Sequence, residues 1–411
     1  MDNRNILFVS QRLEIATFKL NALLKITELI NENASPIMLC SVYKKILIDN
    51  FAVGKFALFM KNSHWHCLIN NNFSKYCNSN TDQWVKENLT QYSKIESIEI
   101  GDSVFTLIPV IHHEKPLAYL LVAEKKEYTQ LTNPIIKHRT FIQTITNIIV
   151  SAIENRHLYD EKIEKEAIKK ELEVASQMQA MLIPSPDSLP QNEHLSVATF
   201  YAPHFQVGGD YFDFVELDAH NYGFCIADVS GKGIAAALLM ANFQANVRAF
   251  ARLGVQVDLP YIVKELNNYI DQFLQGEKFI TFFIARYNTQ TNLLHYVNAG
   301  HNPPVYWSAQ DKKIHYCTQG CVGLGMFERI EHISQGEIRV APGDKILCYT
   351  DGLSEAENSK KKEFGIHEIE VAISKDISIK ESISYLTAQL LHFVGKNPPS
   401  DDISILGIHF K

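Results

Sequence analysis

The stretch "VGGDYFDF", Val207 to Phe214, places two glycines directly before an aspartate and a run of strand-forming residues. Glycine adopts backbone conformations that are closed to other residues, so the pair predicts a bend that leads into a strand. An acid at such a bend lies at the end of the strand rather than in its middle. We therefore expect the carboxylate of Asp210 to point out of the fold, toward a ligand.

Strand-like runs recur on both sides of this stretch, from residue 187 to the C-terminus. They read LSVATFYA, YFDFVEL, YGFCIADV, FITFFIARY, LLHYVNA, KKIHYCT, KILCYT and ISILGIHF. Helical patterns lie between them, at IAAALLMANFQANVRAFARL, YIVKELNNYIDQFLQ and IKESISYLTAQLLHFV. Because short turns join consecutive strands, antiparallel pairing is favoured. Residues 187–411 are thus predicted to form an α+β domain of two packed sheets flanked by helices.

The composition sets the broad class of the protein. The chain has 411 residues, 46% of them hydrophobic, which is enough for two or three domains. A net charge of -7 without a basic stripe argues against a nucleic-acid partner. The sequence contains no apolar run of membrane-helix length and no signal-peptide pattern, so we expect a cytoplasmic protein without a membrane partner. The seven cysteines form no disulfide framework, and Cys317 and Cys321 are expected to be buried thiols.

Residues 1–136 mix helical and strand patterns without a catalytic signature. The helical pattern TFKLNALLKITELI precedes the strand-like runs KFALFM, WHCLI, VFTLIPVI and LAYLLVA. The segment PVIHHEKPLAYLLVAEK, two strands around a short polar turn, resembles the late hairpin of GAF-type sensor domains. This resemblance implies an α/β regulatory domain that receives a small-molecule or protein input.

Residues 137–186 are predicted to form a long linker helix, because no Gly or Pro occurs from Lys137 to Ile183. Within it, positions spaced alternately by four and three form a candidate coiled-coil seam. These positions are Ile168, Leu172, Ala175, Gln179 and Leu182. We predict a parallel homodimer through this helix. A solvated helix that packs on its own domains is the alternative.

Four aspartates in residues 187–411 stand at the edge of a strand pattern, beside small or turn-forming residues. They are Asp210 in GGDYF, Asp228 in CIADVSGKG, Asp351 in CYTDGLSEAEN and Asp401 in PPSDDISIL. One such aspartate would usually be a turn residue that binds its own backbone. Four in one domain favour a shared site. Because gathered carboxylates repel one another, such a site needs cations.

An all-carboxylate site favours Mg²⁺ or Mn²⁺ over zinc. Two such ions activate a water and neutralise a phosphoryl group, so the pattern predicts hydrolysis of a phosphate ester. A nucleotide P-loop is excluded because SGKG, Ser230 to Gly233, lacks the opening glycine and the Ser or Thr that follows the lysine. His301 in NAGHNPP has no Ser or Cys elbow motif beside it and is expected to be a turn or scaffold residue.

Seven motifs of this region, in order, resemble the bacterial branch of the metal-dependent PPM (type 2C) serine/threonine protein phosphatases. This branch is typified by SpoIIE and RsbU. The motifs are VGGDYFDF, IADVSGKGIAAALLMA, NAGHNPPV, GLGMF, PGDKILCYTDGLSEAEN, EFG and PPSDDISIL. The resemblance implies a β-sandwich of two antiparallel sheets flanked by helices, in agreement with the strand pattern.

The resemblance also implies a centre of two Mn²⁺ or Mg²⁺ ions. Asp228 would bridge both ions, and the backbone carbonyl of Val229 would bind one of them. Asp351 and Asp401 would complete the shell of the other ion. Asp210 would be a direct or water-mediated ligand.

Some positions depart from the wider family or stay open. Asp213 and Asp402 match acidic positions beside the motifs, but they are not counted as ligands because a structural role fits equally well. Val229 and Ser230 stand where many eukaryotic members have Gly and His, so a histidine general acid is absent there. The arginine that grips phosphate in those members has no clear counterpart. Lys232 is the candidate for that role.

The usual substrate of this branch is phosphoserine or phosphothreonine on a STAS-domain anti-sigma-factor antagonist, under the control of N-terminal sensor domains. We therefore expect a protein phosphatase in sigma-factor signalling, regulated through a dimeric linker. Two alternatives stay open: a non-catalytic dimeric scaffold that binds a phosphoprotein, and a phosphatase of a small phosphorylated metabolite. The retained acids disfavour the scaffold, because a scaffold has no need of metal ligands.

Overall fold

The computed structural model describes residues 3–51, 53–73, 76–100, 103–112, 114–123, 134–274, 278–397 and 400–411. The chain divides into two compact units, Met1–Glu166 and Ala167–Lys411. This division falls inside the predicted linker, 137–186. Pro398 and Pro399 of the motif PPSDDISIL lie outside the described residues.

The first unit is built on a five-stranded antiparallel sheet with the order β2-β1-β5-β4-β3. Its strands are β1 (Phe56–Lys61), β2 (Trp65–Asn71), β3 (Glu96–Ile100), β4 (Ser103–His112) and β5 (Lys115–Ala123). Its helices are α1 (Asn3–Asn31), α2 (Pro36–Phe51), α3 (Thr81–Asn88) and the first part of α4 (Pro134–Ala180). One face of the sheet packs on α1, α2 and α4. The other face packs on α3.

Helix α4 runs from the first unit into the second and ends shortly before Pro184 and Pro186. Both prolines prevent its continuation. Its last turns belong to the second unit, where the predicted seam does not hold throughout. Ile168 is exposed and Leu172 is half-buried, so both are accessible to a partner helix. Gln179 is only 8% exposed, because it lies against its own unit.

The second unit contains two sheets. The first has six strands, in the order β13-β10-β9-β8-β7 with β14 also paired to β10, and the second has the order β12-β11-β15-β16-β6. All the pairs are antiparallel except the short pair of β10 with β13. The strands of the first sheet are β7 (Tyr211–Asp218), β8 (Asn221–Val229), β9 (Ile280–Asn288), β10 (Leu293–Ala299), β13 (Gly320–Cys321) and β14 (Gly336–Arg339). Those of the second are β6 (Leu195–Ala202), β11 (Val305–Ser308), β12 (Lys313–Tyr316), β15 (Lys345–Tyr349) and β16 (Ile403–Phe410).

Apolar side chains from both sheets form the core between them, so the sheets stack face to face. Helices α5 (Ile234–Ala251) and α6 (Leu259–Leu274) cover the outer face of the first sheet. Helices α8 (His367–Ser374) and α9 (Ile379–Val394) cover the second, and the short α7 (Asp351–Ser354) follows β15. The predicted α+β sandwich flanked by helices is therefore confirmed.

The cysteines differ in part from expectation. Cys317 and Cys321 are free; Cys317 is buried and Cys321 half-buried. In the first unit, however, Cys67 and Cys77 form a disulfide, which the sequence pattern did not predict. Among the described helices, none is both long and apolar enough to cross a bilayer.

Candidate metal centre

The four predicted aspartates lie at one end of the two sheets. Asp210 directly precedes β7, and Asp228 is the penultimate residue of the antiparallel partner strand β8, since Tyr211 pairs with Ala227. Asp351 follows β15 and begins α7, and Asp401 precedes β16. Strands β15 and β16 are antiparallel neighbours, so the end of β15 lies beside the beginning of β16. Two hairpin-like strand pairs, one from each sheet, thus deliver their acids to the same edge.

The electrostatics of these acids indicate how close they are. The pKa of Asp228 is raised to about 7, first by burial and then by the neighbouring charges of Asp351, Asp401 and Asp402. The pKa of Asp351 is raised as well, by burial and by Asp401. Carboxylates influence one another in this way only when they are near neighbours. The four aspartates therefore form one acidic cluster, since Asp228 also acts on Asp210.

Asp210 is the deepest member of the cluster, with only 1% of its surface exposed. Its Oδ2 accepts hydrogen bonds from the hydroxyls of Thr350 at 2.8 Å and Ser404 at 2.7 Å. Burial and the charge of Asp228 nevertheless raise its pKa well above the ordinary range. The carboxylate is thus held in one orientation beside Asp228, at a cost in electrostatic energy.

The two glycines before Asp210 allow the backbone to enter this crowded place. A Cβ at Gly209 would lie 2.9 Å from the carbonyl oxygen of Val229, so only glycine lets these two chain segments approach so closely. The amide of Gly209 donates to Oδ2 of Asp402 at 2.6 Å. The carbonyl that the family resemblance implies as a ligand is therefore beside the acidic cluster.

Asp402 and Asp213, whose roles the sequence pattern left open, have structural partners. Asp402 accepts backbone hydrogen bonds from His204 at 2.7 Å and from Gly209. Asp213 forms a two-point ion pair with Arg248 and accepts a bond from the Tyr211 hydroxyl at 2.7 Å. Both carboxylates are committed to holding the local backbone and side chains.

Lys232 places a positive charge beside the cluster. Its ammonium lies 2.8 Å from Oδ2 of Asp401 and donates to the carbonyl of Ser400. It also lowers the pKa values of Asp228 and Asp351, against the stronger effects of burial and neighbouring acids. One exposed lysine therefore offsets only part of the negative charge.

The donor set fits a hard divalent cation, because several buried carboxylates raise one another's pKa and one exposed lysine opposes them. Within the described residues, no three His, Cys, Asp or Glu side chains are arranged to hold a metal ion as they stand. Gathered carboxylates repel one another, so a cation would be needed to hold them together.

His301 is buried and its ring contacts Thr281, the residue that pairs with Asp228 across strands β8 and β9. It is 4% exposed, Nδ1 is 2.9 Å from the Thr281 hydroxyl, and its backbone is bonded to the Asn298 side chain. Burial lowers its pKa to about 4. It is therefore neutral at physiological pH.

Thr350 and Ser404 are site residues that the sequence pattern missed. Thr350 directly precedes Asp351 in "YTDG", and Ser404 follows Asp402 by two residues in "DDIS". A hydroxyl beside a predicted ligand was the available signal. Serine and threonine are so common in strands that this signal is weak without the fold.

Part of this chain is similar in sequence to known proteins. Residues 218–411 match the family Stage II sporulation protein E (SpoIIE). The chain is 31% identical over 191 residues to phosphoserine phosphatase RsbU of Bacillus subtilis, covering 46% of this chain and 55% of RsbU. It is 28% identical over 190 residues to phosphoserine phosphatase RsbP of the same organism, covering 45% of each. The chain thus spans about half the length of these curated relatives.

A solved structure extends the comparison to the fold. The SiaA-PP2C domain of Pseudomonas aeruginosa superimposes with a TM-score of 0.53 at 21% identity, covering 60% of this chain and 99% of that domain. At this identity the likeness concerns the fold alone. The β-sandwich described above is the PP2C fold.

Proposed function

We propose that the protein is a metal-dependent protein serine/threonine phosphatase, because residues 218–411 match the SpoIIE family and the sandwich that contains them has the PP2C fold. The observation that carries this proposal is the acidic cluster. Asp210, Asp228, Asp351 and Asp401 come from four strand ends of two sheets, and the pKa of Asp228 is raised to about 7 by burial and its acidic neighbours. Such a cluster is costly to fold without a function that uses it.

In this proposal, Asp210, Asp228, Asp351, Asp401 and the Val229 carbonyl would hold two Mn²⁺ or Mg²⁺ ions. When bound, the ions supply an activated water and neutralise charge on the phosphoryl group. The protein's own contribution is to fix the acids in place. Gly209 admits the Val229 carbonyl, and the hydroxyl bonds on Asp210 set the direction of its carboxylate.

The proposed substrate is phosphoserine or phosphothreonine on a STAS-type regulator, an anti-sigma-factor antagonist. Similarity to RsbU and RsbP, both named phosphoserine phosphatases, supports this class. The proposed centre lies at the sheet edge, where Asp228, Asp351 and Asp401 are half-buried and only Asp210 of the four is buried. An edge of this kind is accessible to a residue on a protein partner.

Control is proposed to pass from the N-terminal unit, GAF-like in its late hairpin, through a homodimeric α4. The exposed apolar residues of the last turns support a helix seam. Val174, Met178 and Met181 are spaced by four and three residues and are 57%, 66% and 81% exposed. This row lies one position before the row predicted from Ala175, Gln179 and Leu182, because Gln179 faces its own unit. Paired helices would bury the exposed row.

The proposal is tested by comparing phosphate release from a phosphorylated STAS-domain protein with release from small phosphate esters. The phosphoprotein should be hydrolysed with the higher kcat/KM, and Asp228→Asn should abolish release while leaving partner binding intact. Faster turnover of small esters would favour the metabolite phosphatase. Partner binding without turnover by the folded, metal-loaded wild type would favour the scaffold.

A further inference from the structure

The side-chain amide of Gln179 pairs with the backbone of Gly208 at two points. Its Nε2 donates to the Gly208 carbonyl at 2.6 Å, and its Oε1 accepts from the Gly208 amide at 3.0 Å. An amide side chain is suited to this role because it carries one donor and one acceptor side by side. Gln179 therefore satisfies both backbone groups of Gly208, as a neighbouring strand would do in a sheet.

This contact is exceptional among the last turns of α4. From Ala167 to Ala180, Gln179 is the one buried side chain, and its neighbours Met178 and Ala180 are exposed. A buried polar side chain in an otherwise exposed segment is costly unless its hydrogen bonds are made. The helix is thus joined to the loop mainly through these two bonds in this segment.

Gly208 is held from the opposite side as well. A Cβ at this position would lie 2.5 Å from Oδ2 of Asp402 and 2.5 Å from the Tyr201 hydroxyl, so no larger residue fits. The next amide, of Gly209, donates to Asp402. The glycine pair is therefore held by two side chains, since Gln179 binds Gly208 and Asp402 binds Gly209.

The glycine pair stands directly before Asp210 of the acidic cluster. Gly209 is the residue against which the Val229 carbonyl packs, and Asp210 follows it. Gly208 is therefore one residue from Gly209 and two from Asp210. Through its two bonds to Gly208, Gln179 links the end of α4 to the residues that lead into the cluster.

We infer that Gln179 is a positioning residue that couples α4 to the metal centre by fixing Gly208, and with it Asp210 and the Val229 carbonyl. This inference rests on the proposed function and names the contact through which the helix controls it. An α4 that rotates or slides breaks or remakes the Gln179–Gly208 pair, and metal affinity changes with it. A purely structural Gln179 would instead change the stability of the domain and leave metal affinity unaltered.

The test measures Mn²⁺ binding by isothermal titration calorimetry, beside thermal unfolding, for the full chain and three variants. Gln179→Ala removes both bonds. Gln179→Glu keeps the size and the acceptor but loses the donor when ionised, so it retains the packing if the alanine variant fails to fold. Gln177→Ala is the matched control, because Gln177 is an exposed glutamine in the same turn.

We expect both Gln179 variants to weaken Mn²⁺ binding at least fivefold, and Gln177→Ala to stay within twofold of wild type. Amide hydrogen exchange at residues 207–210 should speed up in the Gln179 variants alone. Mn²⁺ affinity within twofold of wild type in both Gln179 variants, whatever their melting temperatures, would overturn the inference and leave the proposed function intact. A folded wild type that binds no Mn²⁺ would overturn both.

Discussion

The ammonium of Lys232 lies 2.8 Å from Oδ2 of Asp401, at the open side of the acidic cluster. In this ion pair the lysine shares a carboxylate with the proposed metal ions. A positive charge at this place attracts a phosphate group but opposes a cation. Lys232 is therefore expected to favour the binding of phosphate at the centre and to disfavour the binding of metal ions.

Removing this charge should tighten metal binding. We expect Lys232→Met to lower the dissociation constant for Mn²⁺ by about two- to fivefold, since a nearby cation no longer competes for Asp401 in a partly exposed, screened setting. Calorimetric titration measures the change. Lys264→Met, an exposed lysine on α6, is the control and should have no effect. Equal or weaker binding by Lys232→Met would contradict this role.

The acidic cluster should destabilise the metal-free protein. Because the folded state raises the pKa of Asp228 to about 7 from 3.8, the folded protein binds more protons than the unfolded chain between these values. Stability is therefore lost as the pH rises from about 4 to about 7, and the loss persists above that range. We expect Asp228→Asn to raise the metal-free unfolding free energy by about 1–3 kcal/mol at pH 8.

This gain should shrink as the pH falls toward 4, where the wild-type carboxyl is protonated as well. Urea unfolding in a chelator at several pH values measures it. The matched control is Asp213→Asn, which weakens the ion pair with Arg248 and should destabilise the protein instead. A metal-free Asp228→Asn that is less stable than wild type at pH 8 would disprove the prediction.

The hydroxyl of Thr350 should contribute to stability as well as to orientation. It donates to Asp210 and accepts from the Ser404 amide at 2.9 Å. Thr350→Val keeps the shape but leaves both partners short of a bond, so we expect a loss of about 1–3 kcal/mol of unfolding free energy. Ser384→Ala, at an exposed serine of α9, is the control in urea unfolding. Equal losses in the two variants would show that the buried hydroxyl has no special role.

The exposed row at the end of α4, which continues to Met181 just past the helix, should form the dimer contact. Met178→Asp places a charge in the row of Val174, Met178 and Met181, and burying it in a helix pair would be costly. We expect the mass measured by light scattering to fall from that of a dimer to that of a monomer. Gln177→Asp, off this row, should leave the mass unchanged. A monomeric wild type, or a dimeric Met178→Asp, would refute the proposed seam.

Long, alternating strands could be predicted closely from the sequence. The runs LSVATFYA, LLHYVNA and ISILGIHF coincide with β6, β10 and β16, since each buries one face or both in the sandwich. The strands β11, β13 and β14 were missed because two to four residues are too few to display a period. Their pairing depends on neighbours that are distant in the chain.

The candidate site was predictable to a similar extent. The four aspartates stood out because acids beside small or turn-forming residues recur at four strand edges of one domain. Thr350 and Ser404 gave no comparable signal, since their partner Asp210 lies 140 and 194 residues away in the chain. Gln179 was placed in the seam because its spacing matched that of the apolar positions. Its contact with Gly208 is a tertiary contact, which the spacing of residues along a helix cannot predict.

The central claim is that the acidic cluster is the metal centre of a phosphoprotein phosphatase. Its most direct test is phosphate release from a phosphorylated STAS-domain protein, measured with and without Mn²⁺ for wild type, Asp228→Asn and Asp351→Asn. The account predicts release that requires Mn²⁺ and is lost in both variants. Release that continues in a chelator, or that survives either substitution at saturating Mn²⁺, would contradict it.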